Sequence, residues 1–332
     1  MSSAATVTTR GFQQTSSLLQ QDILRVLLYF DIFNHPLRPE EIHTFLPSNS
    51  TNPAEITRAC QADPLAALID RKGSYFFLGT ANASCTEERR RKEQLARRRW
   101  RTASFMAKLI GKFPFVRGVF VSGELSKGLA SKRGDIDFVI VTCGNRLWIC
   151  RTLLILFKKI FLLNSKKYFC LNHFVAEDHL EFEMRNVYSA IEIATLKPLV
   201  NLALFQKYMA ANAWIDEFLP NWKVDEELRD HHDKKRSRIQ RLLEFLFPTR
   251  IADHLDDVLM RTWQKVWKRR YAYLGDEQRE RQYQCRKHIS TAYGVDFLRK
   301  ILEMYQLRLN RFELSSDSQA PVLVVHMLEH HG

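Results

Sequence analysis

The chain has 332 residues, 45% of them apolar and 26% charged, which is the balance of an ordinary globular protein with two or three domains. Disordered, collagen-like and membrane-embedded classes are excluded by that composition. Lys and Arg outnumber Asp and Glu by 50 to 37, a formal charge of +13. Such an excess points to a polyanion as partner, the plain alternative being a basic surface that serves solubility.

Residues 1–16 are polar and read as disordered, with no apolar core of a signal peptide. Helical spacing starts at Leu18 and runs through Leu19, Ile23, Val26, Leu27 and Phe30 until Pro36 ends it. A second short helix is expected over 37–46 with Pro39 in its first turn, and a third over 52–68, interrupted or offset at Pro64. A basic turn then leads from Asp70 into an aromatic strand ending at Leu78. Three helices and a hairpin describe a winged-helix-like module over 17–80. As a reader of DNA its third helix is poorly equipped, because Arg58 is its only basic residue against Glu55 and Asp63.

Residues 87–101 hold eight basic and three acidic side chains and continue as one helix to about Pro114. Its basic face either tracks the phosphates of a nucleic-acid partner or is a solvated charge run. The apolar stretch 153–163 is interrupted by Lys158 and Lys159 and is too short to span a bilayer. It reads as a core-facing helix with a basic exposed side, so no integral membrane segment is expected. Cys60, Cys85, Cys143, Cys150, Cys170 and Cys285 form no CxxC pair. Free thiols in a cytoplasmic protein are the expectation, without structural zinc.

Beyond residue 190, helical spacing recurs over 191–213, 237–247, 255–271 and 295–312, giving a helical C-terminal domain over 191–313 and a tail over 314–332. Trp263, Trp267, Tyr271 and Tyr273 read as packing residues, and His231, His232 and Asp233 as a polar loop.

Chemistry concentrates in 116–142. A strand rich in β-branched residues ends at Ser122; Gly123 turns the chain into a short helical piece ending at Gly128; a polar loop follows. A second strand then begins beside Asp135 and Asp137. Two residues apart on an extended strand, both carboxylates project from one face, their β-carbons roughly 7 Å apart. Such a pair can bridge two Mg²⁺ ions about 3.5–4 Å apart. Glycines at 123 and 128 let the backbone approach phosphate oxygens, and Lys127, Lys132 and Arg133 add positive charge.

This segment resembles the polymerase-β nucleotidyltransferase superfamily, whose pattern is Gly-Ser followed downstream by Asp-hydrophobic-Asp. Beyond it, the runs 122–128, 146–148, 168–174 and 192–196 are similar to those of an uncharacterised bacterial family with a winged-helix-like N-terminus. The resemblance implies an α+β fold: a nucleotidyltransferase mixed sheet with flanking helices over 81–190, between the N-terminal module and the helical C-terminal domain. It implies Mg²⁺-dependent (or Mn²⁺-dependent) transfer of a nucleoside monophosphate from a triphosphate to an acceptor hydroxyl. The alternative is a catalytically degenerate protein that senses a nucleotide or binds nucleic acid. Asp135 and Asp137 would be catalytic and hold the metal, with Asn172 as third ligand. Ser122, Gly123, Ser126, Lys127 and Gly128 would meet the nucleotide. Two positions depart from the pattern: Glu124 stands where the motif serine belongs, and Asn172 where a third carboxylate is expected. Glu177, Asp178, Glu181 and Glu183 are the substitutes that follow it in the chain, and Thr195 and Lys197 could approach the triphosphate.

Overall fold

The computed structural model describes residues 9–49, 52–79, 84–165, 167–224, 238–293 and 296–314. Helix α1 (Thr9–Thr15) leads into α2 (Leu18–Asp31), which starts at a capping box between Ser17 and Gln20. The stretch expected to be disordered up to residue 16 is thus partly helical. Its Phe12 is fully buried, and burial of so large a ring offsets the ordering of one short helix. Next come α3 (Pro39–Phe45), α4 (Pro53–Cys60) and a hairpin of β1 (Ile69–Lys72) and β2 (Tyr75–Leu78). Pro39 and Pro53 stand in first turns, where the missing N–H loses no bond. Leu37 bridges to Phe76 and adds a third short segment to the hairpin.

Helix α5 (Cys85–Ile110) then runs along the main sheet. The elements that follow are β3 (Val116–Ser122), α6 (Gly123–Ser126), β4 (Asp137–Thr142), α7 (Leu147–Phe161) and β5 (Cys170–Ala176). After them come α8 (Val187–Ala194), β6 (Lys197–Val200), α9 (Leu202–Ala211), α10 (Arg238–Phe245), α11 (Thr249–Arg270), α12 (Asp276–Gln282), β7 (Ile289–Thr291) and α13 (Phe297–Arg311). The architecture is α+β. Its five-stranded sheet has the order β6-β3-β4-β5-β7, with β4 and β5 parallel and the other neighbours antiparallel.

Alternation along the strands builds two cores. Phe120, Val139, Val141 and Val175 face α8, α9 and α13, and the same apolar cluster continues into α2, α3 and α4. Val121, Phe138, Ile140 and Phe174 face α5, α7 and α11 on the other side. The N-terminal unit therefore shares a core with the sheet. Tyr29 of α2 meets Tyr305 of α13 edge-on at 5.4 Å, and Arg308 pairs with Asp31 at 3.1 Å.

Several expectations need correction. The helix expected over 191–213 is broken by β6, because Pro198 cannot donate to a helical ladder and Asn201 takes the left-handed conformation (φ 65°) to start α9. Both edge strands, β6 and β7, come from beyond residue 190, so a boundary there runs through α8 and divides the sheet. Leu314 is 1% exposed and belongs to the core, not to a tail; residues 315–332 lie outside the described ones, as do His231, His232 and Asp233. On α7 the expected sidedness holds only in part: Leu154 is buried and Lys159 exposed, as expected. Lys158, however, is buried, whereas Leu156, Ile160 and Phe161 face outward, with α11 packed on the helix. Trp263 and Trp267 pack as expected, against the Thr152 hydroxyl and Trp148, while Tyr273 is exposed. All six cysteines are free, and burial pushes the thiols of Cys60, Cys150, Cys170 and Cys285 well up. Among the described residues no helix is long and apolar enough to cross a membrane.

Helix α5 is clamped to the N-terminal unit by Arg89. Its guanidinium is buried, donates to the Pro36 carbonyl, pairs with Glu41 and Glu93, and lies over the Tyr75 ring at 4.9 Å. Arg38 reaches Glu93 from the other side at 2.9 Å. Next to this cluster, burial first, and then the charges of Arg89, Lys92, Lys127 and Arg38, hold the His35 imidazole well below 6.5. The unfolded chain therefore takes up this proton first as the pH falls. Stability from His35 is complete above about pH 6.5 and is lost as the pH drops below it. Thermal melting between pH 7 and 5 should show a smaller acid-induced fall for His35→Gln than for the native chain.

Candidate functional site

The site lies at one end of the sheet, where β3 finishes and β4 begins. The antiparallel register sets Ser122 opposite Asp137, and the parallel register with β5 sets Cys170 beside Asp137. Strand pairing thus brings the glycine turn, the acid pair and Asn172 together. Gly123 has φ +69°, and a β-carbon built on it would stand 2.7 Å from Oδ2 of Asp137. Glycine is required there twice, for its backbone angle and for the space its carboxylate neighbour occupies. Gly128 has φ +73° but nothing within 4 Å of its missing β-carbon. Gly123→Ala is therefore expected to cost about 2 kcal/mol and to displace Asp137, while Gly128→Ala costs about 1 kcal/mol from the backbone alone. Urea denaturation of the two variants measures the difference.

Burial raises the Asp137 carboxyl above the usual carboxylate range. A hydrogen bond from Cys170 opposes this; the neighbouring charges of Asp135 and Glu192 add to it, and that of Lys127 works against them. Asn172 extends its side-chain amide toward Oδ1 of Asp137 at a long 3.5 Å. Next to it, burial holds His173 down to about 4, so a neutral ring shares a 2.5 Å hydrogen bond with the Tyr293 hydroxyl. The strand end therefore collects desolvated negative charge, with the Lys127 ammonium beside it.

The remaining expected residues divide. Lys127 is at the site, but its ammonium pairs with Glu192 at 2.9 Å and donates to the Gly123 carbonyl at 3.3 Å. The Ser126 hydroxyl donates to that same carbonyl at 2.9 Å, closing the turn. Ser122 precedes α6 without a side-chain capping bond. Glu124 faces the loop that leads to the acid pair: its carboxylate accepts from the Ser131 N–H at 2.9 Å and the Ser131 hydroxyl at 2.8 Å. The loop is held from the other side by Arg99, which donates to the carbonyls of Gly134 (2.5 Å) and Lys132 (2.9 Å). Lys132 and Arg133 are exposed.

The acids suggested as substitutes for a third carboxylate are not at this end. The Glu177 N–H donates to the carbonyl of Thr142, the last residue of β4, which lies about 17 Å along the strand from Asp137. Glu177, Glu181 and Glu183 are near Arg117 (3.7 Å), Arg185 (2.6 Å) and Arg286 (3.1 Å), and Asp178 is 3.1 Å from His179. Asp178, Glu181 and Glu183 line a separate cleft of about 520 Å³ with His179 and His288. The Thr195 hydroxyl bonds back to the Ile191 and Glu192 carbonyls of its own helix. Glu192 is the residue sequence reasoning missed. It projects from α8, far along the chain from the acid pair, and no local spacing signals it.

Comparison of the chain with protein-family models, curated proteins and solved structures finds no match.

Among the described residues no group of three or more His, Cys, Asp or Glu is placed to hold a metal. The donors at the strand end are two carboxylates and the Asn172 amide. That set suits Mg²⁺, which is commonly bound by one or two carboxylates with substrate phosphates and water completing its octahedron. Desolvation and the charges of Asp135 and Glu192 outweigh the Cys170 hydrogen bond and the Lys127 charge at Asp137, a balance that a cation would redress.

Proposed function

We propose that this chain is a nucleotidyltransferase that moves a nucleoside monophosphate from a triphosphate to a hydroxyl acceptor. The observation that carries the reading is the close approach of Gly123 to Asp137, a left-handed turn set so near a desolvated carboxylate that no β-carbon fits between them. A turn of that shape next to paired acids lets triphosphate oxygens approach backbone and carboxylates together, with a cation between them.

Asp135, Asp137 and, with its amide turned over, the Asn172 carbonyl would hold Mg²⁺ or Mn²⁺, which would neutralise the triphosphate and polarise its α-phosphorus. The chain's own residues position the reactants. The β3–α6 turn presents backbone to the phosphates, and Lys127, once exchanged from Glu192, supplies a point charge to them. The acceptor oxygen bonds to the α-phosphorus, the bond to the bridging oxygen breaks, and pyrophosphate leaves with that electron pair. The hydroxyl proton passes to a carboxylate of the pair or to water. Glu124, turned onto Ser131, braces the loop rather than opposing the phosphates, which supports the reading despite the missing serine. The mixed sheet with the acid pair opening a central strand is compatible with a polymerase-β-type core. Likewise α2, α3, α4 and the β1–β2 hairpin with its Leu37 bridge are in the order of a winged helix.

One observation favours a second reading. With Asn172 in place of a third acid, and Lys127 tied to Glu192, the site resembles one that senses a nucleotide without turning it over. Calorimetry with each nucleoside triphosphate, with Mg²⁺ and with a chelator, tests both. Metal-dependent binding is expected. No binding of any triphosphate to folded protein would remove both readings, and binding without pyrophosphate release across acceptor classes would leave the second.

A further inference from the structure

Helix α5 carries a charge pattern that the fold does not use. Its three acids are all paired with cations: Glu87 with Lys72 (2.5 Å), Glu88 with Lys92 (3.2 Å) and Glu93 with Arg38 (2.9 Å) and Arg89 (3.1 Å). After Glu93 the chain contains no acidic residue until Glu124. Over that stretch Arg97, Arg98, Arg101, Lys108 and Lys112 are exposed, and no ion pair is formed by any of them among the described residues. At 100° per residue, Arg97, Arg101, Phe105 and Lys108 fall on one narrow face of the helix, with Arg98 on its border. From Arg97 to Lys108 the stripe is about 16 Å long at 1.5 Å per residue. In its middle Phe105 is 65% exposed, an aromatic face left in water between cations. The opposite face, with Ala96, Ala103, Ala107 and Ile110, is packed on the sheet.

The same helix also holds the loop that precedes the acid pair. Arg99 of the same helix holds the carbonyls of Lys132 and Gly134, and the Lys92 carbonyl accepts from the Ala130 N–H at 3.1 Å. The loop pinned by these bonds exposes Lys132 and Arg133 immediately before Asp135. By the same count Arg99 and Lys92 stand about 160° round the helix from the middle of the stripe, with Arg98 between, so a strand on the stripe reaches the loop by crossing Arg98.

We infer that this surface binds a single strand of nucleic acid and that the strand is the acceptor, its terminal hydroxyl being the group that attacks the α-phosphorus. This rests on the transferase reading for the reaction but on α5 alone for the binding. Cations spaced along a straight helix match a backbone with one charge per nucleotide, and an exposed ring between them gives a base a face to stack on. A duplex keeps its bases stacked inside, so it would use the charges and not Phe105. An anionic membrane would need several apolar side chains beside the cations, and the stripe has one.

The test is fluorescence anisotropy of the full chain with labelled 20-nucleotide single-stranded RNA and DNA, the matching duplex, and heparin as competitor, at several salt concentrations. Native protein should bind at least one single-stranded oligomer more tightly than the duplex, with affinity falling steeply as salt rises. Arg97→Glu/Arg98→Glu/Arg101→Glu should weaken that binding on the order of 100-fold and flatten the log–log salt slope by about 2. Phe105→Ala should weaken it about tenfold and leave the slope unchanged. Arg97→Gln/Arg98→Gln/Arg101→Gln, which adds no repulsion, serves if the reversed triple variant misfolds. Equal binding of duplex, or unchanged binding by both triple variants, overturns the inference. Calorimetry of the same variants with Mg²⁺ and nucleoside triphosphates separates the two readings. Lost oligomer binding with intact nucleotide binding in the variants confirms that the stripe acts apart from the nucleotide site. Oligomer binding by native protein that binds no triphosphate would sink the transferase reading and, with it, the acceptor role.

Discussion

The Asp135→Asn/Asp137→Asn protein is expected to fold, to melt above the native chain in the absence of metal, and to lose metal-dependent binding of nucleoside triphosphates. Asparagine keeps the size of each side chain, so the close fit between Gly123 and position 137 survives. What is removed is charge. Asp137 is held above the ordinary carboxylate range by burial, and Asp135 and Glu192 add to the same shift. Its ionised form therefore costs the native state stability. Because the folded pKa is raised, stability declines as the pH rises through the window between the ordinary value and the folded one, and neutral pH lies above the ordinary value. Neutralising the pair should return about 0.5–2 kcal/mol, as is common when a strained functional group is replaced. Turnover, where measurable, should fall by at least about 10³-fold, since the donors of the cation are gone. Melting curves with chelator and calorimetry with Mg²⁺ and triphosphate read the two effects separately. A less stable double variant would show that the aspartates are structural, and unchanged nucleotide binding would place the site elsewhere.

Arg89→Met should give the largest loss of stability on the surface where α5 meets the N-terminal unit, about 3 kcal/mol. The guanidinium is 3% exposed and is shared among the Pro36 carbonyl, Glu41 and Glu93, with the Tyr75 ring beneath it. Methionine fills similar volume but leaves the partly buried Glu41 with the Arg38 N–H at 2.8 Å and its guanidinium at 3.9 Å, and Glu93 with Arg38 and the Tyr75 hydroxyl. Removal of one member of a buried ion pair commonly costs about 3–5 kcal/mol, because the remaining charge keeps its desolvation penalty. The lower end applies here, since Arg38 still compensates Glu93. Glu41→Gln/Glu93→Gln in the Arg89→Met background should recover part of the loss. Urea unfolding of the three proteins gives the comparison, and a loss under about 1 kcal/mol for Arg89→Met, the range of exposed ion pairs, would mean that the cluster is solvated.

Much of the local structure was legible in the chain. Pro36 and Pro39 punctuate the N-terminal helices, the β-branched runs 116–122 and 136–142 mark two strands, and Gly123 marks the turn between them. The misreadings share a cause. Residues 191–213 carry apolar side chains at helical spacing, yet Pro198 and Asn201 divide them and the middle piece completes a sheet edge. Pro198 was the available signal. Strand β7 has three residues and too short a pattern to announce itself. On α7, which residues are buried depends on partners such as α11, about a hundred residues away, so periodicity identified the helix and only part of the side it hides.

The sequence by itself determined the glycine turn, the carboxylate pair and the cationic run, because turn conformation and strand alternation act over a few residues. Tertiary structure alone decided what surrounds them. It set Glu192 and Lys127 against each other beside Asp137, turned Glu124 onto Ser131, and carried Glu177 to the far end of β4. It also made Arg89 and Arg99 into buried ties while leaving Arg97, Arg98 and Arg101 in solvent, although all five belong to one charged run. Charge in a sequence has a sign but no direction. Which charges meet partners is settled when elements pack, since an ion taken from water must find compensation and one left at the surface need not.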